Sequence, residues 1–183
     1  MEPFELPAGD LLLRPWRDDD VPAAWTALQD PGMQLWNNAG SGTREGVAAL
    51  IARRADWSGG DHASWAVVPA GGGELAGSVS LHSIDREQGD AEIGYWTVPA
   101  ARGRAVAVRA TTAVCSWAFG ALPVDRIELF HAVENAASGR VAAKAGFTLE
   151  GRLRRSFRYG DGVKHDELLW SRLATDPPVT GVR

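Results

Sequence analysis

The sequence predicts an α/β domain built on a mixed, mostly antiparallel sheet of seven strands flanked by about four helices. In the middle of the chain, apolar side chains alternate with small or polar ones, which is typical of strands with one buried face. On either side of this region, apolar residues recur at helical spacing. The predicted order is β-α-α-β-β-β-α-β-α-β-β, within one domain over residues 1–174 of the 183-residue chain.

Each element of the first half has its own local signal. The apolar run Leu11–Leu13 predicts the first strand. Asp18–Asp20 supplies an N-cap and negative charge for a helix that runs to Leu28 and ends at Asp30–Gly32. Thr43 marks the start of a second helix, after a glycine- and asparagine-rich segment that we expect to be a mobile loop. Three strands are predicted to follow, over residues 65–68, 75–81 and 91–98.

The second half begins with a helix. Apolar residues recur at helical spacing between Arg104 and Gly120, and this glycine is placed to end the helix. An alanine-rich helix is predicted from Ala136 to Ala145. Strands are predicted around it, over residues 127–133, 147–159 and 164–173. Residues 175–183 contain two prolines and have little to bury, so we expect a flexible C-terminal tail.

Composition and charge argue against several classes of protein. The formal net charge of −4 disfavours a dedicated nucleic-acid binder, although Arg152, Arg154, Arg155 and Arg158 lie close together in the sequence. The single cysteine, Cys115, permits no internal disulfide or multi-cysteine zinc site and suits a reducing cytoplasm. No apolar run approaches the ~20 residues of a membrane span, and the acidic start does not have the pattern of a signal peptide. We therefore expect a cytoplasmic protein that binds neither nucleic acid nor membrane.

A strand-to-helix turn near the middle of the chain predicts a phosphate site. The strand over Ala91–Val98 ends at Pro99, and a basic turn with Arg102, Gly103 and Arg104 leads directly into a helix. A helix N-terminus presents unpaired N–H groups and the positive end of the helix dipole, which bind anions. Taken alone, the same pattern fits a plain loop whose arginines face water equally well.

A second strand-to-helix junction carries Asn135 and Ser138. Asn135 is a natural N-cap, and Ser138 follows it by three residues. As an isolated pattern, this pair is better explained by helix capping than by catalysis. The segment continues through Val141 to Phe147, however, and this longer pattern gives the pair a second interpretation.

Three motifs occur in the order and spacing of one family: Glu92-Ile93-Gly94-Tyr95, the Arg102 turn, and the segment Asn135 to Phe147 that leads into Leu149-Glu150-Gly151. On these motifs the sequence resembles the GNAT superfamily of acyl-CoA-dependent N-acyltransferases, and its RimJ/RimL-type branch in particular. The resemblance implies the GNAT fold, acetyl-CoA as acyl donor, no metal, and transfer of an acetyl group to a primary amine by direct attack on the thioester. A larger acyl donor such as succinyl-CoA, or a CoA-binding protein with degraded catalysis, are the alternatives.

The resemblance also implies where the donor binds. Backbone N–H groups of Arg102-Gly103-Arg104-Ala105-Val106-Ala107 would hold the CoA pyrophosphate. The family has a glycine where this chain has Ala105, a substitution that is tolerated in a helical conformation and is less favourable if the position needs a positive φ. The pantetheine arm would pair with the end of the fourth strand, here Tyr95-Trp96-Thr97-Val98. Asn135 would contact the pantetheine or orient a water.

The catalytic groups implied by the resemblance are partly defined. Ser138 corresponds to a hydroxyl that protonates the departing CoA thiolate, and a backbone N–H between Tyr95 and Thr97 corresponds to the oxyanion donor. The sequence does not define the general base: Glu92 is one candidate, and a structural ion pair explains that residue about as well. His131 alternates with apolar residues along its strand, so we expect a core histidine rather than a base.

On the acceptor side, the resemblance places the region between the first two helices along the substrate groove. Trp36, Asn37 and Asn38 are therefore candidates for substrate contact, with packing of Trp36 under the loop as the alternative. Asp161, in the late turn, is expected on the other side of the groove. The acceptor is a peptide or protein N-terminus or a small-molecule amine. Relatives in this branch often pair as dimers, so a homodimer is one expected assembly.

Overall fold

The computed structural model describes residues 1–37 and 42–179, and this part of the chain forms eight strands and five α-helices. The strands are β1 (Leu6–Ala8), β2 (Leu11–Pro15), β3 (Ala63–Pro69), β4 (Gly77–Asp85), β5 (Asp90–Thr97), β6 (Arg126–Ala132), β7 (Thr148–Arg158) and β8 (Lys164–Leu173). The helices are α1 (Val21–Leu28), α2 (Pro31–Trp36), α3 (Arg44–Ala55), α4 (Val106–Ala121) and α5 (Ala136–Lys144).

The strands form one mixed sheet in the order β1-β2-β3-β4-β5-β6-β8-β7. Neighbouring strands are antiparallel except β5 and β6, which are parallel. The parallel pairing covers only Asp90–Glu92 against Arg126–Glu128. Beyond these residues the two strands part, and the gap between them positions the candidate site.

The predicted α/β fold with a mixed, mostly antiparallel sheet is confirmed. The structure also contains two short elements that were not predicted, one strand and one helix. The eighth strand, β1, pairs with β2 after a turn at Gly9, whose φ of 70° favours glycine. The fifth helix, α2, starts where the sequence indicated only the end of α1. Asp30 is its N-cap and accepts a hydrogen bond from the Met33 N–H at 3.1 Å, and Pro31 occupies the first helical position, where its missing N–H is tolerated.

Helices cover both faces of the sheet, and each face has its own apolar core. On one face, Val106 and Val114 of α4 and Ala142 of α5 pack with strand residues such as Ile127 and Leu129. On the other face, the core joins residues of α1, α2 and α3 to the sheet: Ala24, Ala27, Met33, Val47, Ile51, Ala66 and Trp96. Cys115 lies in the first core, where burial raises the pKa of its thiol to about 12.

The long edge strand β7 is exposed along its length. It carries the four clustered arginines, of which Arg152 pairs with Asp166 at 2.7 Å. After β8, the Leu173 N–H donates to the Asp176 carboxylate at 2.8 Å and closes a short turn. The last four residues of the predicted tail, 180–183, lie outside the described residues. In the part of the chain that the structure describes, no helix is long and apolar enough to cross a membrane.

Candidate active site

The gap between β5 and β6 opens into a cleft of about 780 Å³. Its walls come from the ends of β5 and β6, the turn before α4, the first turns of α5, and α2. The predicted site residues that line it are Trp36, Asn37, Tyr95, Trp96, Thr97, Arg102, Gly103, Ala105, Val106, Ala107, Asn135 and Ser138. Residues from distant parts of the sequence are thus brought to one cavity.

One edge of β5 presents backbone groups to this cleft. The Val98 N–H donates to the Ala76 carbonyl at 2.9 Å, toward β4. Because alternate residues of a strand face the same neighbour, the N–H and C=O groups of Ile93, Tyr95 and Thr97 point to the other side, where β6 has parted from β5. An extended ligand can pair with this edge. Val98 itself faces β4 with its N–H and is not among the residues that line the cleft.

The turn Arg102–Ala107, called the phosphate turn below, ends at the N-terminus of α4. The helix begins at Val106, two residues later than predicted, and its first internal hydrogen bond runs from the Arg109 N–H to the Ala105 carbonyl at 3.0 Å. The preceding amides therefore remain available at the positive end of the helix dipole. Ala105 is left-handed, with φ 55° and ψ 18°, so it does not have the helical conformation in which alanine would replace glycine without strain.

The side chain of Arg102 forms an ion pair with another residue of the same chain. Its guanidinium lies 2.5 Å from the carboxylate of Asp30, the N-cap of α2, and this contact holds the pKa of Asp30 below its usual range. Arg104, another predicted cofactor residue, does not line the cleft; its carbonyl accepts a hydrogen bond from Arg109 at 3.2 Å. Additional positive charge comes from Arg140 and Lys144 of α5, which do line the cleft.

Ser138 and Tyr95 meet across the cleft. The Asn135 side chain caps α5 by accepting the Ser138 N–H at 3.2 Å, as expected for an N-cap. This places the Ser138 hydroxyl 2.8 Å from the Tyr95 hydroxyl, which also donates to the Ser138 carbonyl at 3.1 Å. Burial raises the pKa of Tyr95 above its ordinary value, so the phenol holds its proton at neutral pH. The pair is therefore a protonated hydroxyl couple at the strand gap.

The two base candidates from the sequence have other surroundings. Glu92 is not among the cleft-lining residues, and its carboxylate lies 3.9 Å from His82 Nδ1. His131 is buried and lines the cleft, and both of its ring nitrogens have partners: Nδ1 lies 2.7 Å from the Ala132 carbonyl, and Nε2 accepts the Trp170 indole N–H at 3.0 Å. Since Nε2 accepts from an indole N–H and Nδ1 faces a carbonyl, both ring nitrogens are satisfied within the protein, as expected of a core histidine.

On the acceptor side, the structure has one more helix, α2, than the sequence predicted, and most of the predicted mobile loop after it, residues 38–41, lies outside the described residues. Trp36 is the last residue of α2, and its ring packs edge-on against Tyr159 and His165 at 5.5 and 5.8 Å. His165 also lies 2.8 Å from Asp161 and 3.3 Å from Glu134, two carboxylates that raise its pKa. Both interpretations of Trp36 therefore apply, because it packs against neighbouring rings and also lines the cleft.

Asn37 follows Trp36 along the cleft wall. Its side-chain nitrogen is buried and has no hydrogen-bond partner within residues 1–37 and 42–179. A buried donor of this kind favours a ligand acceptor, since leaving it unpaired is unfavourable. Asn38, the third candidate of this group, lies outside the described residues.

Several residues that line the cleft were not predicted from the sequence. Met33 was missed together with α2, and Tyr159 reaches the cleft only through the β7–β8 hairpin. Arg140 and Lys144 had a usable signal: two basic residues four apart in one helix share a face, and that face follows the Asn135 cap. No local pattern marks Tyr159, because its position depends on long-range packing.

Comparison with known proteins identifies the family. Residues 10–148 match the acetyltransferase (GNAT) domain, so the chain belongs to the GNAT acetyltransferase family. It is 35% identical over 101 residues to YdaF of Bacillus subtilis (strain 168), whose name places it among ribosomal N-acetyltransferases. That match spans 55% of each protein, so the chain spans about half the length of the curated relatives it matches.

Solved structures have the same fold. RimJ of Mycobacterium smegmatis in complex with CoA-disulfide is 28% identical and superimposes with a TM-score of 0.81, covering 95% of this chain and 90% of that one. RimL, a ribosomal L7/L12 alpha-N-protein acetyltransferase in complex with CoA, is 22% identical, with a TM-score of 0.83 over 93% of this chain and 98% of its own. The second likeness concerns the fold alone.

The cleft thus combines a helix N-terminus, an unpaired strand edge and a hydroxyl pair at the gap between β5 and β6. Residues 1–37 and 42–179 contain no cluster of three or more His, Cys, Asp or Glu able to hold a metal ion.

Proposed function

We propose that this chain transfers an acetyl group from acetyl-CoA to a primary amine, with the amine nitrogen attacking the thioester carbonyl directly. The observation that carries the proposal is the joint presence, along one cleft, of the phosphate turn, the free edge of β5 and the Tyr95–Ser138 pair. These three features match the phosphate, amide-bearing arm and thioester of an acyl-CoA in that order. Membership of the GNAT family and the CoA bound in the RimJ structure support the same donor.

The phosphate turn would bind the donor pyrophosphate through backbone N–H groups of Gly103 to Ala107. Arg140 and Lys144 of α5 add positive charge to the lining of the same cleft. Arg102 pairs with Asp30 through its side chain, and its own N–H donates to the Pro99 carbonyl at 3.3 Å, so the free amides of the turn begin at Gly103. Along β5, the Tyr95 and Thr97 backbone groups would pair with the amides of the pantetheine arm, with Trp96 and Asn135 beside it.

At the strand gap, attack forms a C–N bond and moves the carbonyl electron pair onto oxygen. A β5 backbone N–H between Tyr95 and Thr97 would stabilise this oxyanion. Collapse of the adduct breaks the C–S bond, and the Ser138 hydroxyl gives its proton to the departing thiolate. Tyr95 holds Ser138 in place through the hydrogen bond between the two hydroxyls, and the proton that the amine releases restores the Ser138 hydroxyl.

The amine nitrogen loses one proton after attack, which balances the proton gained by sulfur. Glu92 stays our candidate base for this step, acting through water because its carboxylate is outside the cleft lining. The test is Glu92→Gln, which should lower the rate most below neutral pH, where the amine needs help to lose its proton.

We propose that the acceptor is the N-terminus of a peptide or protein. Trp36 and Asn37 would line its binding groove, whereas Asp161 is not among the residues that line the cleft and contacts His165 instead. The name of YdaF, which refers to ribosomal N-acetyltransfer, supports this class of acceptor. A free N-terminus also suits the groove, since an apolar wall and one buried amide donor can hold a backbone without demanding a particular side chain.

We also propose that the protein is located in the cytoplasm and forms a homodimer. One buried cysteine suits a reducing compartment. The exposed apolar residues Leu149, Leu153 and Phe157 on edge strand β7 provide a surface that pairing of two copies would cover. Light scattering of the purified protein tests the assembly: a mass twice the 19.6 kDa of one chain supports the dimer, and a single-chain mass contradicts it.

The activity is tested by measuring thiol release from acetyl-CoA and succinyl-CoA with two acceptors, a synthetic peptide beginning with serine and a small primary amine. We expect acetyl-CoA and the peptide to give the fastest release. Faster release from succinyl-CoA would assign a larger donor. Tight CoA binding by calorimetry with no release from any pair would identify a CoA-binding protein, and absence of CoA binding would contradict the proposal altogether.

A further inference from the structure

Helix α2 (Pro31–Trp36) links the two halves of the site. Gly32, Met33 and Trp36 of this helix line the cleft. With six residues, α2 is too short to be stable as an isolated helix, so its position depends on its neighbours. Both of its ends are fixed to other parts of the site.

The N-terminal end of α2 is joined to the phosphate turn. Asp30 accepts the Met33 N–H at 3.1 Å and so starts the helix. The same carboxylate lies 2.5 Å from the Arg102 guanidinium, with one-fifth of the Asp30 side chain exposed. The group that caps the acceptor-side helix is therefore also the group that holds the donor-side turn.

The C-terminal end of α2 is joined to the β7–β8 turn. The Gly160 N–H donates to the Leu35 carbonyl at 3.0 Å. The approach is so close that a Cβ on Gly160 would lie 1.8 Å from the Gln34 carbonyl oxygen. Beside this contact, the Trp36 and Tyr159 rings meet edge to face at 5.5 Å.

We propose that α2 is a bridge that fixes the acceptor wall relative to the bound donor, with Asp30 and Gly160 as its two positioning residues. This inference rests on the proposed function. Neither residue needs to touch a reacting atom: Asp30 acts through Arg102, and Gly160 acts through the Leu35 carbonyl. The bridge sets the distance from Trp36, on the acceptor wall, to the phosphate turn, where the donor is anchored.

The first test uses Asp30→Asn, which keeps a good N-cap and removes the ion pair. The Gln34 and Asn37 amides report on α2, because each donates a backbone hydrogen bond of 2.9 Å within the helix or at its end. We expect their hydrogen exchange to accelerate about 3- to 5-fold, which corresponds to the stabilisation that an exposed ion pair provides. With the serine peptide, the acceptor KM should rise by a similar factor, while the CoA Kd should not weaken because the freed Arg102 guanidinium keeps its positive charge beside the phosphate turn. Glu150→Gln is the control, because it breaks an ion pair of 2.6 Å at the far end of the sheet.

The second test uses Gly160→Ala, which should raise the acceptor KM by about 10-fold or more because the chain must shift to admit the methyl group. Gly151→Ala on β7 is its control, since a Cβ there meets nothing within 4 Å. In an Arg102→Gln background, Asp30→Asn should have no additional effect on the acceptor KM, because its partner is already absent.

Unchanged α2 exchange and acceptor KM in Asp30→Asn would overturn the bridge. An equal loss of CoA affinity would also overturn it, because that result indicates general damage to the cleft. If the wild-type protein releases no CoA with any amine, the proposed function fails by itself. Hydrogen exchange of the Gln34 and Asn37 amides, measured in Asp30→Asn and in Gly160→Ala, then still decides whether these two residues hold α2.

Discussion

Replacing Ala105 by glycine should stabilise the protein, which is the reverse of the usual effect of this change. Ala105 has φ 55° and ψ 18°, a left-handed conformation that is unfavourable by about 1–2 kcal/mol for a residue with a Cβ. Glycine removes this strain, but it also makes the unfolded chain more flexible, which lowers the free energy of unfolding by about 0.5–1 kcal/mol. Loss of a half-buried methyl group offsets roughly another 0.4 kcal/mol. At the midpoints of these ranges the net gain is roughly 0.4 kcal/mol, or about 1 °C in Tm for a chain of this size.

A matched substitution separates strain relief from the general effect of glycine. Ala52 is exposed within α3, where φ is negative, so Ala52→Gly should lower the free energy of unfolding by about 0.5–1 kcal/mol. Both variants can be measured by urea denaturation and by thermal melting. Calorimetry with CoA should show equal or tighter binding by Ala105→Gly, and weaker binding when a bulky residue replaces Ala105. If Ala105→Gly destabilises the protein as much as Ala52→Gly does, the left-handed assignment is refuted.

Three further predictions concern catalysis, acceptor binding and pH. Ser138→Ala should lower turnover by ~10²-fold or more with little change in Tm, because it removes the proton donor to the thiolate; unchanged turnover with a lower Tm would make Ser138 only part of the helix start. Trp36→Ala should raise the acceptor KM more than the acetyl-CoA KM, measured by thiol release, and equal effects would indicate collapse of the acceptor wall. The raised pKa of His165 means that its ion pairs with Asp161 and Glu134 stabilise the fold fully below about pH 6.5 and are lost as pH rises through the folded-state pKa. The difference in unfolding free energy between wild type and His165→Gln should therefore be larger at pH 5.5 than at pH 8.5, and a difference that grows with pH would contradict this assignment.

The sequence predicted those elements whose signal is local. The alternation in residues 91–98 and the glycine-containing turn at Arg102 led to β5 and to the start of α4, and the Asn135 cap led to α5. The helix α2 was missed because Asp30-Pro31-Gly32 is a good terminator in sequence terms. In the structure, the same residues end α1 and also cap the next helix.

The rest of the site depends on contacts between residues that are far apart in the chain. The partner of Arg102 is Asp30, which no local pattern identifies, although the turn itself was predicted. The neighbours of Trp36 come from the β7–β8 hairpin, whose position is fixed by the sheet order. The conformation of Ala105 also could not be predicted from the sequence. Alanine favours helix, and the positive φ of Ala105 is imposed by the folded turn before α4.

The most direct test of the central claim is a crystal structure of this protein with CoA. We predict that the pyrophosphate lies on the backbone N–H groups of Gly103 to Ala107, at the N-terminus of α4. The pantetheine arm should follow the free edge of β5, so that the sulfur lies within hydrogen-bond distance of the Ser138 hydroxyl. A complex with the pyrophosphate elsewhere, or with the sulfur away from the Tyr95–Ser138 pair, would contradict the account.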